Sequence, residues 1–188
     1  MEKDIINISW HGRGGQGAIT AAKIVATASF QTGYTGVVMV PTFGTERRGA
    51  PVMTSLKISK EKIYDLSPIE NPDIAVVLDY LLLDEINIVE GLKQGGILVV
   101  NTPKPSDSYT YNGIRVATAD ITAIADESGL AYGMVNSGII GAFAKASSLI
   151  DIDVLANAIR EEFKDRKPEE NARAALVTYE RTIINYGD

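Results

Sequence analysis

The sequence predicts an α/β fold, a mostly parallel sheet with helices on both faces. Short apolar runs of strand length alternate with segments of helical period. The first run passes through a glycine-rich turn directly into an alanine-rich helix, and a second strand–helix–strand unit follows in the middle of the chain.

Ile5 to Trp10 is the first strand, followed by His11 and the glycines from Gly12 to Gly17. Ala18 to Ala28 then reads as a helix, because alanine is the best helix former and Ile24, Val25 and Ala28 supply an apolar side. Gly33 suits a left-handed cap after it, and Thr35 to Val40 forms a second strand stopped by Pro41. Pro41 to Pro51 has no periodicity and reads as a loop, whereas Val52 to Ser59 alternates as a strand that Lys60 to Lys62 turns towards Ile63 and Tyr64, in a hairpin or an edge excursion. The second unit runs from a strand at Asp73 to Leu78 through a helix at Tyr80 to Leu92 to a strand at Ile97 to Val100. A short strand at Ile114 to Ala117 precedes a helix at Thr118 to Glu127. Asn136 to Ser147 is a helix of small residues that packs closely, and Ile152 to Phe163 and Glu169 to Ile184 are two more helices. No internal repeat or biased stretch divides the chain, so residues 1–188 read as one domain.

Composition narrows the function. With 45% hydrophobic and 22% charged residues the chain is that of a folded globular protein. A net charge of -6 gives no reason to expect nucleic acid as a partner. The absence of cysteine removes disulfides and any thiolate ligand for an iron–sulfur cluster, so a redox metal must sit on another chain. No run approaches the roughly 20 apolar residues of a membrane helix, and the start Met1-Glu2-Lys3-Asp4 lacks a secretory pattern, which points to the cytoplasm and away from the membrane.

Gly12-Arg13-Gly14-Gly15-Gln16-Gly17 has the spacing that lets a backbone turn tightly and bring a phosphate to a helix N-terminus. A dinucleotide site of this kind also wants an acid at the end of the second strand, where this chain has Val37-Val38-Met39-Val40. It is not a Walker A loop either, since Ala18-Ile19 follows Gly17. A strand–helix turn that uses glycine for geometry alone remains the competing reading. Arg47 and Arg48, after Glu46, offer guanidinium forks that suit a subunit contact, an anionic ligand or simple solvation. Asn101 to Pro105 follows a strand and reads either as lining the same sheet edge as the glycine turn, where ligands of parallel sheets collect, or as an ordinary loop. The single histidine, His11, is a poor metal site and reads as a turn residue with a structural hydrogen bond. Asp73, Asp79, Asp84 and Glu85 have no nucleophile or basic partner assignable from spacing, so neither catalytic nor metal-binding residues are identified.

HGRGGQGAITAAKIVATASF at His11 to Phe30, GYTGVVMVPTFGTERRGAPV at Gly33 to Val52 and TSLKIS at Thr54 to Ser59 resemble the gamma subunit of pyruvate and related 2-oxoacid:ferredoxin oxidoreductases. The pairing of GRGGQG with GTERRGAP is more specific than the glycine turn alone. Asp73 to Asp79, Gly95 to Asn101 and Asn136 to Ala144 extend the resemblance to nearly the whole chain. It implies a Rossmann-like domain packed on larger alpha and beta subunits, with a ferredoxin-like delta subunit as a further partner. The complex would decarboxylate a 2-oxoacid oxidatively with coenzyme A, giving acyl-CoA, CO2 and reduced ferredoxin. Thiamine diphosphate with magnesium and the 4Fe-4S clusters would belong to the other subunits, and this chain alone would hold no cofactor and show no activity. Within the complex, Gly12, Arg13, Gly14, Gly15, Gln16, Gly17, Arg47, Arg48 and Asn101 would be the candidates for contact with anionic cofactor groups, coenzyme A included. The ERRGAP loop is more similar to pyruvate or branched-chain types than to 2-oxoglutarate types. A free-standing dinucleotide-binding dehydrogenase and a structural adaptor are the alternatives.

Overall fold

The structure, a computed structural model, describes residues 5–41 and 48–186. Among the described residues seven strands form one sheet, in the order β2-β3-β1-β4-β5-β6-β7. They are β1 (Ile6–Arg13), β2 (Gly36–Pro41), β3 (Pro51–Ser59), β4 (Ile74–Val77), β5 (Ile97–Asn101), β6 (Arg115–Ala119) and β7 (Ile183–Tyr186). β1, β4, β5 and β6 pair in parallel, while β3 is antiparallel to both β1 and β2, and β7 is antiparallel to β6. Five strands therefore share one direction and β3 and β7 oppose it, a mainly parallel sheet.

Alternation along the strands builds a core on each face. Ile8 and Trp10 of β1, Leu56 and Ile58 of β3, Val76 of β4 and Val99 of β5 point to one side. There they meet α1 (Ala18–Gln31), α4 (Ile121–Glu127), α5 (Asn136–Ser147), α6 (Ile152–Glu162) and α7 (Pro168–Arg181). Trp10 and Phe143 of α5 centre this core with ring centroids 5.5 Å apart. Gly138 and Gly141 let α5 sit deep: a Cβ on Gly141 would stand 2.0 Å from the Ala175 carbonyl oxygen of α7. On the other face Ala75, Val77, Leu98, Val100 and Val116 pack against the short helices α2 (Leu82–Glu85) and α3 (Ile88–Gly91) and against Tyr109 and Ile114. Helices thus cover both faces, unequally.

Several elements differ from their sequence reading. The expected helix at Tyr80 to Leu92 is broken at Ile86, which is extended at φ -139 and ψ 146, and Asn87 follows it outside helical geometry. A β-branched residue followed by asparagine is a weak point in any helix. β3 is an interior strand, and no strand forms at Ile63 and Tyr64. Thr118 and Ala119 extend β6, because Asp120 caps α4 by accepting from the Ala123 N–H at 3.0 Å. The last helix ends at Arg181, and Ile183 to Tyr186 adds the edge strand β7.

Candidate functional site

α1 leaves β1 on one face towards β2, and α2 and α3 leave β4 on the other face towards β5. Adjacent parallel strands whose connections diverge in this way open a crevice beyond their carboxyl ends. Here the crevice is a cleft of about 300 Å³ lined by Gln16, the Leu78 to Leu81 segment, Asn101, Pro103, Thr122 and the Tyr132 to Val135 region. The sheet order places the glycine turn at the head of this cleft.

Strand β1 runs through Gly12 to Arg13, so the turn itself is short. A Cβ on Gly12 would lie 3.3 Å from the Ala18 Cβ, a close approach between strand and helix. Gln16 ties the turn to itself: its Oε1 accepts from the Arg13 N–H at 2.7 Å, and its N–H donates to the Arg13 carbonyl at 2.9 Å. Gly15 and Gly17 have φ of +96° and +81°, conformations that side chains disfavour. α1 begins after Gly17 with no side-chain cap.

The turn is joined to the arginine loop. Gly14 donates to the Ala50 carbonyl at 2.9 Å and accepts from the Gly49 N–H at 3.1 Å, and Gly14 and Arg48 form a parallel bridge. The structure therefore brings together two motifs that are separate in the sequence, the glycine turn and the Arg48 end of GTERRGAP. Arg48 is exposed. Arg47 lies outside the described residues.

Arg13 is already engaged. Its Nε donates to Asp79 Oδ2 at 2.7 Å, and its two terminal nitrogens grip both oxygens of Glu85. These bonds, that to Glu85 foremost, raise the arginine's proton affinity still further, and the Arg13 fork in turn holds the Glu85 carboxyl below its ordinary range. The guanidinium thus staples the glycine turn to the end of β4 and to α2. Asn101 is equally committed: Nδ2 donates to the Leu78 carbonyl at 2.9 Å and to Thr122 Oγ1 at 3.1 Å, while Oδ1 accepts from the Ile121 N–H at 2.9 Å. It fixes the cleft floor and the start of α4.

His11, read from the sequence as a turn residue, lies inside β1 because that strand runs on to Arg13; it is buried, with Nε2 2.9 Å from Ser9 Oγ and Nδ1 without a partner among the described residues. Burial lowers its pKa to about 4. The buried cation Lys57 is balanced by Asp65 at 2.8 Å, a bond that depresses the Asp65 carboxyl.

Asp79 and Glu85 as partners of Arg13, and Asn136 against Gly17, are features that sequence spacing did not identify. Among the described residues no group of three or more His, Cys, Asp or Glu side chains could hold a metal ion. Among them, too, no helix is long and apolar enough to cross a membrane.

Comparison with known proteins places this architecture. The pyruvate synthase subunit PorC of Methanothermobacter marburgensis is 42% identical over 94% of this chain and 97% of its own length. The common gamma subunit of the pyruvate/ketoisovalerate oxidoreductases of Thermococcus kodakarensis is 41% identical over 96% of this chain and 98% of its own. The crystal structure of pyruvate oxidoreductase subunit PORC from Thermotoga maritima superposes with a TM-score of 0.82 at 32% identity, covering 98% of this chain and 99% of that one. The family model for pyruvate ferredoxin/flavodoxin oxidoreductase matches residues 7–181. The chain belongs to the pyruvate ferredoxin/flavodoxin oxidoreductase family.

Proposed function

We propose that this chain, as one domain spanning residues 1–188, is the gamma subunit of a cytoplasmic multisubunit enzyme. That enzyme oxidatively decarboxylates a 2-oxoacid, pyruvate first and a branched-chain acid next, with coenzyme A to give acyl-CoA, CO2 and reduced ferredoxin. The observation that carries the reading is full-length likeness to gamma-type subunits, 42% identical over nearly all of both chains. The cysteine-free composition supports a division of labour in which larger alpha and beta subunits and a ferredoxin-like delta subunit hold the thiamine diphosphate, magnesium and 4Fe-4S clusters. Those groups supply the carbanion and electron-transfer chemistry. The residues of this chain would bind and orient.

Coenzyme A is the group that fits the chain's own donors. Its phosphates suit an uncapped helix N-terminus and an exposed guanidinium, and this chain offers α1 and Arg48 on one turn. In the same reading Arg13 and the Gln16 Oε1 brace the turn from Gly12 to Gly17, and Asn101 fixes the cleft floor and the start of α4.

The experiment is replacement of Arg47 and Arg48 together by Ala, with purification of the enzyme from cells carrying the variant. The expected result is weakened assembly with larger subunits or a raised KM for coenzyme A. Each lost charged hydrogen bond is worth roughly 1.5–3 kcal/mol, a factor of ten or more. Unchanged assembly and unchanged KM would refute a role for the pair. A wild-type chain that purifies from its own cells without larger partners would refute the subunit assignment.

A further inference from the structure

Strand β7 ends the sheet, and its outer side is open. Its four residues pair with β6 from Ile183 opposite Thr118 to Tyr186 opposite Arg115. Among the described residues no other backbone group bonds to Ile183, Ile184, Asn185 or Tyr186, so the alternate N–H and C=O groups that point away from β6 are unpaired. Such a row is a template for another strand, and folds blunt it with lysine, proline or a bulge. Ile183-Ile184-Asn185-Tyr186 carries none of these, and Ile183 and Tyr186 are 56% and 69% exposed. The opposite edge is different. β2 ends in Pro41, and a Cβ on Gly36 at its start would stand 2.0 Å from the Glu61 carbonyl oxygen, so the chain itself crowds that strand.

Beside β7 lies a second cleft, of about 480 Å³, whose lining includes Asp107, Tyr109, Tyr111, Val116, Asn185 and Tyr186. The short turn Ser106–Ser108 forms one wall and is tied to the strand, because Asn185 Nδ2 donates to the Ser106 carbonyl at 2.7 Å. The Tyr109 hydroxyl lies 2.8 Å from Thr102 Oγ1, a hydrogen bond that holds its ring in place. Asp107 is exposed, and among the described residues its carboxylate has neither an ion pair nor a hydrogen bond. The cleft therefore offers one unbalanced carboxylate beside tyrosine rings, surroundings that favour a cation. Tyr186 already shows the preference: the Arg115 guanidinium lies 5.2 Å from its ring centroid.

We propose that β7 accepts an extended segment of a larger partner subunit as an eighth strand, and that the cleft takes a lysine or arginine side chain of that segment against Asp107 and the tyrosine rings. Main-chain bonds to an edge of four residues give little affinity alone, so the neighbouring pocket supplies the selection, the usual division when a strand is added to a sheet edge. The net charge of -6 favours a basic segment from the first encounter. A second copy of this chain fits less well, because its own edge strand Ile183–Tyr186 holds no basic residue to meet Asp107. The inference rests on the subunit assignment proposed above and deepens it by naming the edge that a partner occupies.

Hydrogen exchange followed by mass spectrometry compares the free full chain with the enzyme purified from its own cells. Exchange across Ile183–Tyr186 should slow about tenfold or more on assembly, while peptides from the core strand β5 stay unchanged. Asp107→Lys should weaken assembly about tenfold in native mass analysis, and Asp107→Asn should weaken it less. Asp107 is exposed, so neither replacement disturbs the core. Added salt should weaken wild-type assembly more than that of Asp107→Asn. Equal exchange of β7 in the free and assembled chain would overturn the strand addition, and Asp107→Lys assembly within about twofold of wild type would overturn the role of the cleft. A free chain that dimerises with β7 protected would give the edge to a second copy and overturn the choice of partner. Assembly with β7 unprotected spares the subunit assignment, whereas a wild-type chain that purifies without larger partners sinks both.

Discussion

Acidification from pH 7 to pH 5 should destabilise this chain through one residue. His11 is 7% exposed, and burial lowers its pKa from the ordinary 6.5 to about 4. Between those values the unfolded chain takes up a proton at His11 that the folded chain refuses. The unfolded state binds more protons there, so stability rises with pH across this window and falls as the pH drops. Above about pH 7 the penalty is absent. It grows as the pH falls through 6.5, amounts to about 2 kcal/mol at pH 5 and levels off near 3 kcal/mol below pH 4, at about 1.4 kcal/mol per pKa unit. Glu85 and Asp65, whose carboxyls are held below their ordinary range, lose their contribution at lower pH and leave the window from 5 to 7 to His11. Urea unfolding of the full chain followed by circular dichroism at pH 7, 6 and 5 measures the effect, with His11→Gln as the non-titrating reference. The variant's stability at pH 7 is immaterial, since the readout is the difference in slope. Wild type should lose about 2 kcal/mol more than His11→Gln between pH 7 and 5. Parallel slopes would refute the assignment of His11 as a buried neutral imidazole.

Gly141→Ala should destabilise the chain by about 2 kcal/mol, because overpacking against the Ala175 carbonyl outweighs the roughly 1 kcal/mol that alanine gains in a helix; an unchanged midpoint in thermal unfolding would refute this. Asn101→Ala removes the donor to Leu78 and the acceptor for Ile121 at once, and a loss of about 3 kcal/mol is expected in urea unfolding. A loss below the error of that measurement would mean that solvent replaces the amide. Arg13→Gln releases Asp79 and Glu85 and should speed hydrogen exchange at the Gly14 and Gly49 amides while leaving the core amides protected. Equal exchange at Gly14 in both proteins would show that the turn holds itself.

What was legible in the sequence is what short-range physics decides. β1, α1 and α5 were found because alanine-rich or small-residue helices and an apolar run ending in glycines report on themselves locally. The glycine turn was visible for the same reason. The break at Ile86 and Asn87 was missed because the apolar period of Tyr80 to Leu92 continues through it, and β7 was missed because its four residues prolong the pattern of α7. The side-chain pairings around the turn are set at longer range. Arg13 reaches Asp79 and Glu85 across 66 and 72 residues, and neither acid stands at a spacing that marks it as a partner. Asn136 meets Gly17 from a helix far along the chain, so a reading of GRGGQG alone does not reveal the contact. The fold uses Arg13 to brace the glycine turn and Asn101 to brace the start of α4. A side chain that closes its own hydrogen bonds is poorly placed to recognise a ligand, whereas a buried one left open is paid for elsewhere in the fold.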